Sequence, residues 1–360
     1  MSQCNGICLA MLAMLSSHAS ATVFCARNGN ELRNALITAG SNGQDDQINL
    51  VNAVFEVNSG TTAFSYSTSE NFSIAILGGY TLLPNGSCGD GPNTPSQTLL
   101  DGEGVRQVLS VKSSAIGAGS NMAVGNLAIR NANSSLQGAA LSMGGPAGYA
   151  GRVSVFSVIF VNNTSSTAIG GLAIVADMGH VSVLNNLFIE NRCQLDYCAF
   201  DVISNAPSTA QNPIGVEFGF NTVADNACLA GAPASCDVPG GRFYGDAHAA
   251  FFNNAFAFND GADLRLQGPN VDLDHNNIPL WIGTPATDVG NLALINPLLV
   301  GAGNYRLRSD SPLLNAGVIG PYSIPGQDLD GRYRNYGPEV DIGAYENHVA
   351  IFGNGFDTPY

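Results

Sequence analysis

One pattern occurs six times in this chain and limits the folds that the chain can adopt. Its clearest copy is VSVLNNLFIEN, which begins at Val181, and successive copies begin 22 to 35 residues apart. Repeats of this length are typical of solenoids, because each repeat can bury its apolar side only against its neighbours. The six copies begin at Asn121, Val153, Val181, Val216, Ala249 and Val271.

Asparagine dominates two positions of the pattern, five and ten residues after each start, and fills ten of the twelve places. Asn tolerates the left-handed backbone conformation of a tight corner. Stacked Asn amides can also bond to one another and to the backbone. We therefore interpret both columns as structural ladders at corners. The columns are Asn126, Val158, Asn186, Asn221, Asn254 and Asn276, and then Asn131, Asn163, Asn191, Asn226, Asn259 and Trp281.

Apolar and polar residues alternate at the start of the copies, as Val181, Ser182 and Val183 do. This period of two is typical of a strand with one buried face. Each copy thus predicts a strand, a corner, a short strand, a second corner and a return of variable length. A further apolar column follows the first corner: Ala128, Phe160, Phe188, Val223, Phe256 and Ile278.

The VxVxNNxFxxN pattern resembles the repeats of right-handed parallel β-helix proteins, the architecture of the pectate-lyase-like superfamily. The resemblance covers most of the chain after residue 21 and implies an all-β fold, a single right-handed parallel β-helix. It implies no particular function, because one fold can carry many kinds of site.

The chain divides into five predicted parts. Residues 1–21 resemble an export signal, with an apolar run before Ala19-Ser20-Ala21, and no later run is long enough to span a membrane. Residues 22–120 predict an N-terminal cap and irregular first coils, including a short helix that Asn30 caps and Gly40 ends. Residues 121–295 predict the regular coils, 296–346 the C-terminal coils and cap, and 347–360 a tail.

The C-terminal region includes DLDGRYRNYGPEVDIGAYE, which ends at Glu346. This stretch resembles the ending of exported bacterial β-helix proteins of the choice-of-anchor group. We predict that its charged residues form ion pairs in a structural end-cap. Four acidic residues surround two arginines there: Asp328, Asp330, Asp341 and Glu346 around Arg332 and Arg334.

Six cysteines follow residue 21, and an even number suits disulfides in an oxidising compartment. Stacking would bring Cys193 and Cys228 about 4.8 Å apart, within disulfide reach. Two pairings are therefore open, either 193–198 with 228–236 or 193–228 with 198–236. Zinc is the weaker alternative, because the spacings match no usual zinc site. The six are Cys25, Cys88, Cys193, Cys198, Cys228 and Cys236, and the first two form the remaining predicted pair.

The acidic charge of the chain limits its partners. A net charge of -15 argues against nucleic acid and anionic membranes, and it weighs mildly against polyanionic polysaccharide. Hydrophobic residues make up 45% of the sequence, enough for a large core. We predict an exported monomer in the periplasm, at the cell surface or outside the cell.

Five polar residues next to or in the first strand of the coils could share the exposed face on which β-helix enzymes place their clefts. An Arg could neutralise a uronate, a His could act as base, and a carboxylate pair could do acid–base work or hold Ca²⁺. An exposed strand face also carries polar side chains without any catalytic role. The five are Arg152, His180, Glu217, His248 and Asp272.

A second carboxylate pair, Glu190 and Asp225, lies just before the second Asn column in neighbouring copies. Two carboxylates about 4.8 Å apart could bind Ca²⁺, and solvent-exposed turn charges are the alternative. The only lysine, Lys112, precedes the regular coils, which excludes a lyase with a Lys base in the central cleft. A lyase with an Arg base, as in pectate-lyase-like enzymes, stays open through Arg152, Arg192 or Arg242.

These observations favour a non-catalytic exported scaffold of the cell envelope or extracellular space, which binds glycan or another surface component. One alternative is a polysaccharide lyase or hydrolase that acts on acidic glycans through the five polar residues. The other is a purely structural surface spacer or adhesin.

Overall fold

The computed structural model describes residues 21–57, 62–92, 94–294, 296–301 and 303–348. Nearly all of the predicted export signal, and residues 349–360 of the predicted tail, lie outside these ranges. The described chain forms a right-handed parallel β-helix, as the sequence predicted. Its strands stack into sheet 1 with 15 strands, sheet 2 with eight and sheet 3 with four, and every pairing in these sheets is parallel.

The strands are short; most coils contribute strands to sheets 1 and 2, and four coils also contribute one strand each to sheet 3. In chain order they are β1 Thr22–Ala26, β2 Asp46–Val51, β3 Val54–Glu56, β4 Phe64–Thr68, β5 Ile74–Tyr80, β6 Leu99–Asp101, β7 Leu109–Ser113, β8 Met122–Arg130, β9 Asn133–Ser134, β10 Leu141–Gly144, β11 Val153–Val161, β12 Thr164–Ser165, β13 Leu172–Val175, β14 Val181–Leu184, β15 Leu187–Ile189, β16 Arg192–Cys193, β17 Phe200–Ile203, β18 Val216–Gly219, β19 Thr222–Ala224, β20 Ala227–Cys228, β21 Gly241–Tyr244, β22 Ala249–Phe252, β23 Ala255–Ala257, β24 Leu264–Gln267, β25 Val271–Asp274, β26 Trp281–Ile282, β27 Thr287–Val289, β28 Leu299–Gly301 and β29 Asn304–Leu307.

One complete coil runs through β14, β15, β16 and β17. The first two strands belong to sheet 1 on either side of a corner, the third to sheet 3 and the fourth to sheet 2. Side chains that point into the coil form a continuous apolar core. Like residues stack in it, as Phe160 and Phe188 do with ring centroids 4.7 Å apart.

The predicted register is confirmed for five of the six copies, whose starting residues pair directly. The first copy was wrong by one residue, because Met122 rather than Asn121 pairs with Val153. A slip of one residue would exchange the two faces of the strand, and burial of Met122 and Val124 decides between them. The ladder positions of this copy are therefore Leu127 and Ala132 instead of Asn126 and Asn131, and Ile129 replaces Ala128 in the apolar column.

Two buried ladders of Asn side chains mark the corners, as predicted. In the first ladder each Nδ2 donates to the Oδ1 of the next coil, at 3.0 Å from Asn186 to Asn221 and 2.8 Å from Asn254 to Asn276. Each Oδ1 also accepts a backbone N–H from the preceding coil. The second ladder joins Asn163, Asn191, Asn226 and Asn259. Trp281, which the sequence placed in that column, instead pairs with Leu264 in sheet 2.

The left-handed residue at each corner precedes the ladder Asn, which corrects the expectation that the ladder Asn itself makes the turn. Asn185, Glu190 and Asp225 have φ angles of 62°, 56° and 55°. The ladder Asn directs its amide inward to bond to the next coil. The residue before it therefore makes the turn, whatever its type.

Replacing Glu190 by Asn is expected to raise the free energy of unfolding by about 0.5–1 kcal/mol, because a left-handed backbone costs a residue other than Gly or Asn roughly 1–2 kcal/mol. Glu190 is exposed, so little packing is lost. Urea unfolding would measure the change. Glu339→Asn removes the same charge from an exposed residue with a negative φ and should not stabilise the protein. Equal effects of both substitutions would contradict the prediction.

The N-terminal end of the solenoid is covered by α1, Gly29–Ala39, as predicted. Its cap is Asn28 rather than Asn30, since the Asn28 Oδ1 accepts the N–H of Glu31 at 3.0 Å. Leu32 and Leu36 are fully buried on the face that packs against β1, β2 and β4.

The C-terminal region lies beside the solenoid, in place of the predicted C-terminal coils and end-cap. The strands β28 and β29 form an antiparallel hairpin, and the chain from 303 to 348 runs along the outside of sheet 1. We call residues 296–301 and 303–348 the C-terminal cover. It packs on outward apolar side chains of β15, β19 and β23, which water would otherwise contact. The buried seam contains Leu187, Ile189, Ala224, Ala255 and Ala257 from the solenoid, and Leu299, Tyr305, Leu307, Leu313, Leu329, Ile342, Ala344 and Tyr345 from the cover.

Three disulfides link the six cysteines. The bond between Cys25 and Cys88 is confirmed. Of the two pairings left open by the sequence, the structure has 193–198 with 228–236. Cys193 and Cys228 are neighbours in sheet 3, as stacking predicted, but each bonds within its own return loop.

Candidate functional site

The five predicted catalytic residues lie at or directly before the N-terminal ends of strands in sheet 1. Glu217 and Asp272 occupy the same outward row, two coils apart, with Ala250 between them. Arg152 and His180 directly precede β11 and β14. The structure brings only some of them into contact.

His248 and Asp272 form a pair. The His248 Nε2 lies 2.6 Å from the Asp272 Oδ2, and its Nδ1 lies 3.0 Å from the carbonyl oxygen of Pro213. Both partners are oxygen atoms of the protein itself, so both ring nitrogens are already engaged and neither is free to face a substrate. A shallow cavity of about 320 Å³ beside the pair is lined by Ser208, His248, Asn270, Asp272 and Ala286.

His180 has a different environment. Its Nδ1 lies 3.3 Å from the carbonyl oxygen of Ile214. Burial lowers the pKa of the imidazole, the bond to Ile214 opposes this effect, and the positive charge of Arg152 lowers the pKa further. The neutral ring is therefore favoured near neutral pH. No carboxylate contact holds it in place in the described part of the chain.

Glu217 lies beneath the C-terminal cover, which the sequence did not predict. Ser323 donates its backbone N–H and its hydroxyl to the two carboxylate oxygens of Glu217, both at 2.8 Å. The next cover residue toward the N-terminus, Tyr322, stacks on Phe252 with ring centroids 4.2 Å apart and bonds to Asp274. The middle of the predicted cleft is thus occupied by the chain itself.

Glu190 and Asp225 lie in adjacent coils, as predicted, at consecutive left-handed corners. The hydroxyl of Tyr305, from the cover, donates to the Asp225 carboxylate at 2.7 Å. Burial raises the pKa of Tyr305, and the bond to Asp225 raises it further. Among the described residues, the one close group of three potential metal ligands is Cys193, Cys198 and Cys236, all in disulfides.

The larger concave surface is a groove where sheet 1 turns into sheet 3, near the N-terminal end of the solenoid. We call it the corner groove. Its volume is about 530 Å³, and all but two of its lining residues have polar side chains. The lining consists of Glu56, Asp101, Glu103, Gly104, Asn131, Ala132, Asn133, Asn162 and Thr164.

Asp101 is the best-fixed group of the corner groove. Its carboxylate accepts hydrogen bonds from the Arg130 Nε at 2.7 Å, the Asn131 Nδ2 at 3.1 Å and the Glu103 backbone N–H at 2.9 Å. Burial raises the pKa of Asp101, but these bonds outweigh it, so the net pKa is lowered. The carboxylate is therefore ionised and rigid at neutral pH.

Sequence reasoning missed the corner groove because it draws on the irregular coils before residue 121. Asp101 belongs to β6, which lies before the repeats in the sequence but pairs with β8 in the structure. A usable signal was the row of polar residues after the second strand in successive copies. Asn133 and Thr164 occupy that row and pair in sheet 3.

The fold and the groove define an all-β solenoid protein with three disulfides and a polar surface groove. No protein-family model matches the chain, and neither a curated protein nor a solved structure is found to match it. Across the described ranges, no helix has the length and apolar character needed to cross a membrane.

Proposed function

We propose that this protein is an exported, non-catalytic β-helix scaffold that binds neutral glycan in the corner groove. The observation that carries the proposal is the groove itself, a polar concavity of about 530 Å³ at a corner of the solenoid. Sugars present dense rows of hydroxyl groups, and carboxylate, amide and hydroxyl side chains can pair with them as acceptors and donors.

Rigidity supports binding in this groove. Asp101 is fixed by three hydrogen bonds, and the amide of Asn162 donates to Asn131 at 2.9 Å. Groups held in place before binding lose little conformational entropy when a ligand arrives. Because the polar groups stand on stacked strands, their spacing along the groove repeats at about 4.8 Å, close to the length of one sugar unit.

Charge favours a neutral glycan over a uronate polymer. The carboxylates of Glu56, Asp101 and Glu103 line the groove. The guanidinium of Arg130 is paired with the Asp101 carboxylate. The whole chain carries a net charge of -15. A polyanionic ligand would be repelled both at long range and in the groove.

Two observations weigh against the alternative of a lyase or hydrolase at Arg152, His180, Glu217, His248 and Asp272. Both nitrogens of His248 face acceptors, and Glu217 is bonded by Ser323 of the cover. The three disulfides support an oxidising compartment outside the cytosol. The resemblance to pectate-lyase-like proteins, and of the C-terminal region to choice-of-anchor proteins, fits an exported scaffold of the cell envelope or extracellular space.

An Asn133→Ala/Thr164→Ala double variant is expected to weaken glycan binding at least about 10-fold, since two lost hydrogen bonds to ligand contribute roughly 1.4 kcal/mol. Binding would be measured on an array of neutral and uronate-containing glycans, followed by calorimetry. Thr209→Ala/Asn212→Ala makes the same chemical change in the exposed loop 205–214 and should leave affinity unchanged. Failure of the wild type to bind any glycan would overturn the proposed function. Equal affinity of both variants would exclude the groove.

A further inference from the structure

We infer that the outer face of sheet 2 carries a second carbohydrate site, at which the ring of a neutral hexopyranose lies against Tyr244. We call this surface the sheet 2 platform and define it by Tyr197, Arg242, Tyr244 and Gln267. It does not rest on the corner groove, which lies between sheets 1 and 3 in earlier coils.

Tyr244 is an exposed aromatic residue on a flat, regular surface. It ends β21, and 49% of its surface is exposed. Gln267 of the next coil pairs with it directly in register. The backbone after Tyr244 is fixed by Gly245, whose φ is 139° and where a Cβ atom would lie 2.0 Å from the carbonyl oxygen of Ser204. The ring therefore projects from a rigid backbone.

Arg242 completes the platform between two aromatic rings. Its Cζ lies 4.5 Å from the ring centroid of Tyr197 and 5.5 Å from that of Tyr244, within the range of cation–π contacts. Its Nε and Nη2 donate to the buried carboxylate of Asp201 at 2.8 and 2.7 Å. Its Nη1 donates to the Gln267 Oε1 at 3.3 Å. The guanidinium plane and the Gln267 amide are held in place before any ligand binds.

This arrangement suits the two sides of a pyranose ring. One side presents C–H groups, which pack on the face of an aromatic ring, and the rim presents hydroxyls, which bond to amide and guanidinium groups. Tyr is suited to such contacts because it offers a large surface and loses few side-chain rotations on binding. Ordered partners also reduce the entropic cost of binding.

The charges of the platform favour a neutral sugar. Arg242 is paired with Asp201, and Arg265, its neighbour in the next coil, is paired with Asp237 at 2.8 Å. Each local cation is thus balanced by a carboxylate. A polyanion would also be repelled by the net charge of -15 on the whole chain.

Affinity gel electrophoresis with soluble neutral polysaccharides, a β-1,4-glucan, an α-1,4-glucan and a β-mannan, tests the site. We expect at least one of them to retard the wild type. The Tyr244→Ala variant should lose at least about 10-fold in affinity, while Tyr244→Phe, which keeps the ring, should stay within about 2-fold. Tyr333→Ala removes an equally exposed ring elsewhere and should bind as the wild type does. Circular dichroism would verify that each variant is folded.

The two sites can be separated in the same gels. Retardation that survives Asn133→Ala/Thr164→Ala but is lost in Tyr244→Ala supports the platform and counts against the groove. Retardation that is lost in the groove variant and unchanged in Tyr244→Ala overturns the platform while the proposed function stands. No retardation of the wild type by any of the three polysaccharides overturns the platform as a neutral-sugar site.

Discussion

Replacing Asn221 by Ala is expected to lower the free energy of unfolding by about 4 kcal/mol, because the substitution removes four buried hydrogen bonds at about 1 kcal/mol each. The Oδ1 of Asn221 accepts from both the backbone N–H and the side-chain Nδ2 of Asn186. Its Nδ2 donates to the Val183 carbonyl and to the Asn254 Oδ1. All these bonds are buried, so no water can replace the lost partner without opening the corner.

The position of Asn221 in the ladder should enlarge the effect. It lies in the middle of the solenoid, where each coil is stabilised by contacts with both neighbours. Removing the Asn221 side chain therefore weakens the interfaces of its coil with both neighbouring coils. Asn291 extends the ladder by one residue, since its Oδ1 accepts from the Asn276 Nδ2 at 2.9 Å. Replacing this Asn should cost less than replacing Asn221.

Urea unfolding followed by far-UV circular dichroism, with the disulfides intact, would measure this loss. Asn212→Ala is the matched control, an identical substitution in an exposed loop, and should change the free energy of unfolding by less than about 0.5 kcal/mol. A cost below about 1 kcal/mol for Asn221→Ala would show that the ladder contributes little to stability.

Much of the fold could be predicted because every coil of a solenoid makes the same contacts with its neighbours. The same residue types are therefore needed at the same positions of each coil, and the ladder Asn, the alternating strand residues and the apolar residues recur as columns in the sequence. The prediction failed where repetition ends. In the first copy, Asn126 and Asn131 stand one residue before the ladder positions and suggested the wrong register, whereas the burial of Met122 agrees with the true pairing.

The corners illustrate what a column of residue types leaves hidden. Asn was expected to adopt the left-handed conformation, yet Glu190, Phe220 and Phe258 do so at equivalent corners. Backbone strain there is offset by the ladder bond of the following residue. The Asn column in the sequence therefore marks the residues that form the ladder hydrogen bonds, and not the residues that adopt the left-handed conformation at the corner.

The candidate site was less predictable than the fold. Outward residues of the strands do not repeat, and their environment depends on what covers them. Phe252 and Phe220 are apolar residues that point away from the coil interior, and in retrospect they signal a cover on that face. The partners of Glu217 lie about a hundred positions further along the chain, so no local pattern could place Ser323 over it.

The C-terminal cover contains a buried cluster of charges around Arg334, as the sequence predicted. The prediction was wrong for Arg332, whose side chain is exposed, and Asp330 pairs with Arg306 instead.

The guanidinium of Arg334 is fully buried, lies 4.5 Å from the ring centroid of Phe220 and donates to the Asn185 Oδ1. Its Nη1 is 3.8 Å from the Glu346 carboxylate, a long ion pair. Burial, together with the charge of Asp341, raises the pKa of Glu346 to about 8.

The protein should therefore lose stability as the pH rises from 6.5 to 8. The pKa of Glu346 is about 8 in the folded state and near 4.5 in the unfolded state, so between these values the folded state binds more protons. The stabilising contribution is complete below pH 4.5 and is lost as the pH rises through 8. The raised pKa values of Asp46 and Asp263, about 6 each, act in the same direction at lower pH. The lowered pKa of His180 acts in the opposite direction, below its ordinary value of 6.5.

Above pH 6.5 the slope should thus come mainly from Glu346, partly offset near pH 8 by Lys112, whose pKa burial lowers to about 8. The free energy of unfolding should therefore fall by about 1 kcal/mol between pH 6.5 and 8. Urea unfolding at half-unit steps of pH would record it. Glu346→Gln keeps the shape of the side chain without the titrating proton, so its profile should be nearly flat over this range. Glu339→Gln, an exposed control, should keep the slope of the wild type. Parallel profiles for the wild type and Glu346→Gln would mean that Glu346 is ionised in the folded protein throughout this range and that Arg334 compensates for its burial.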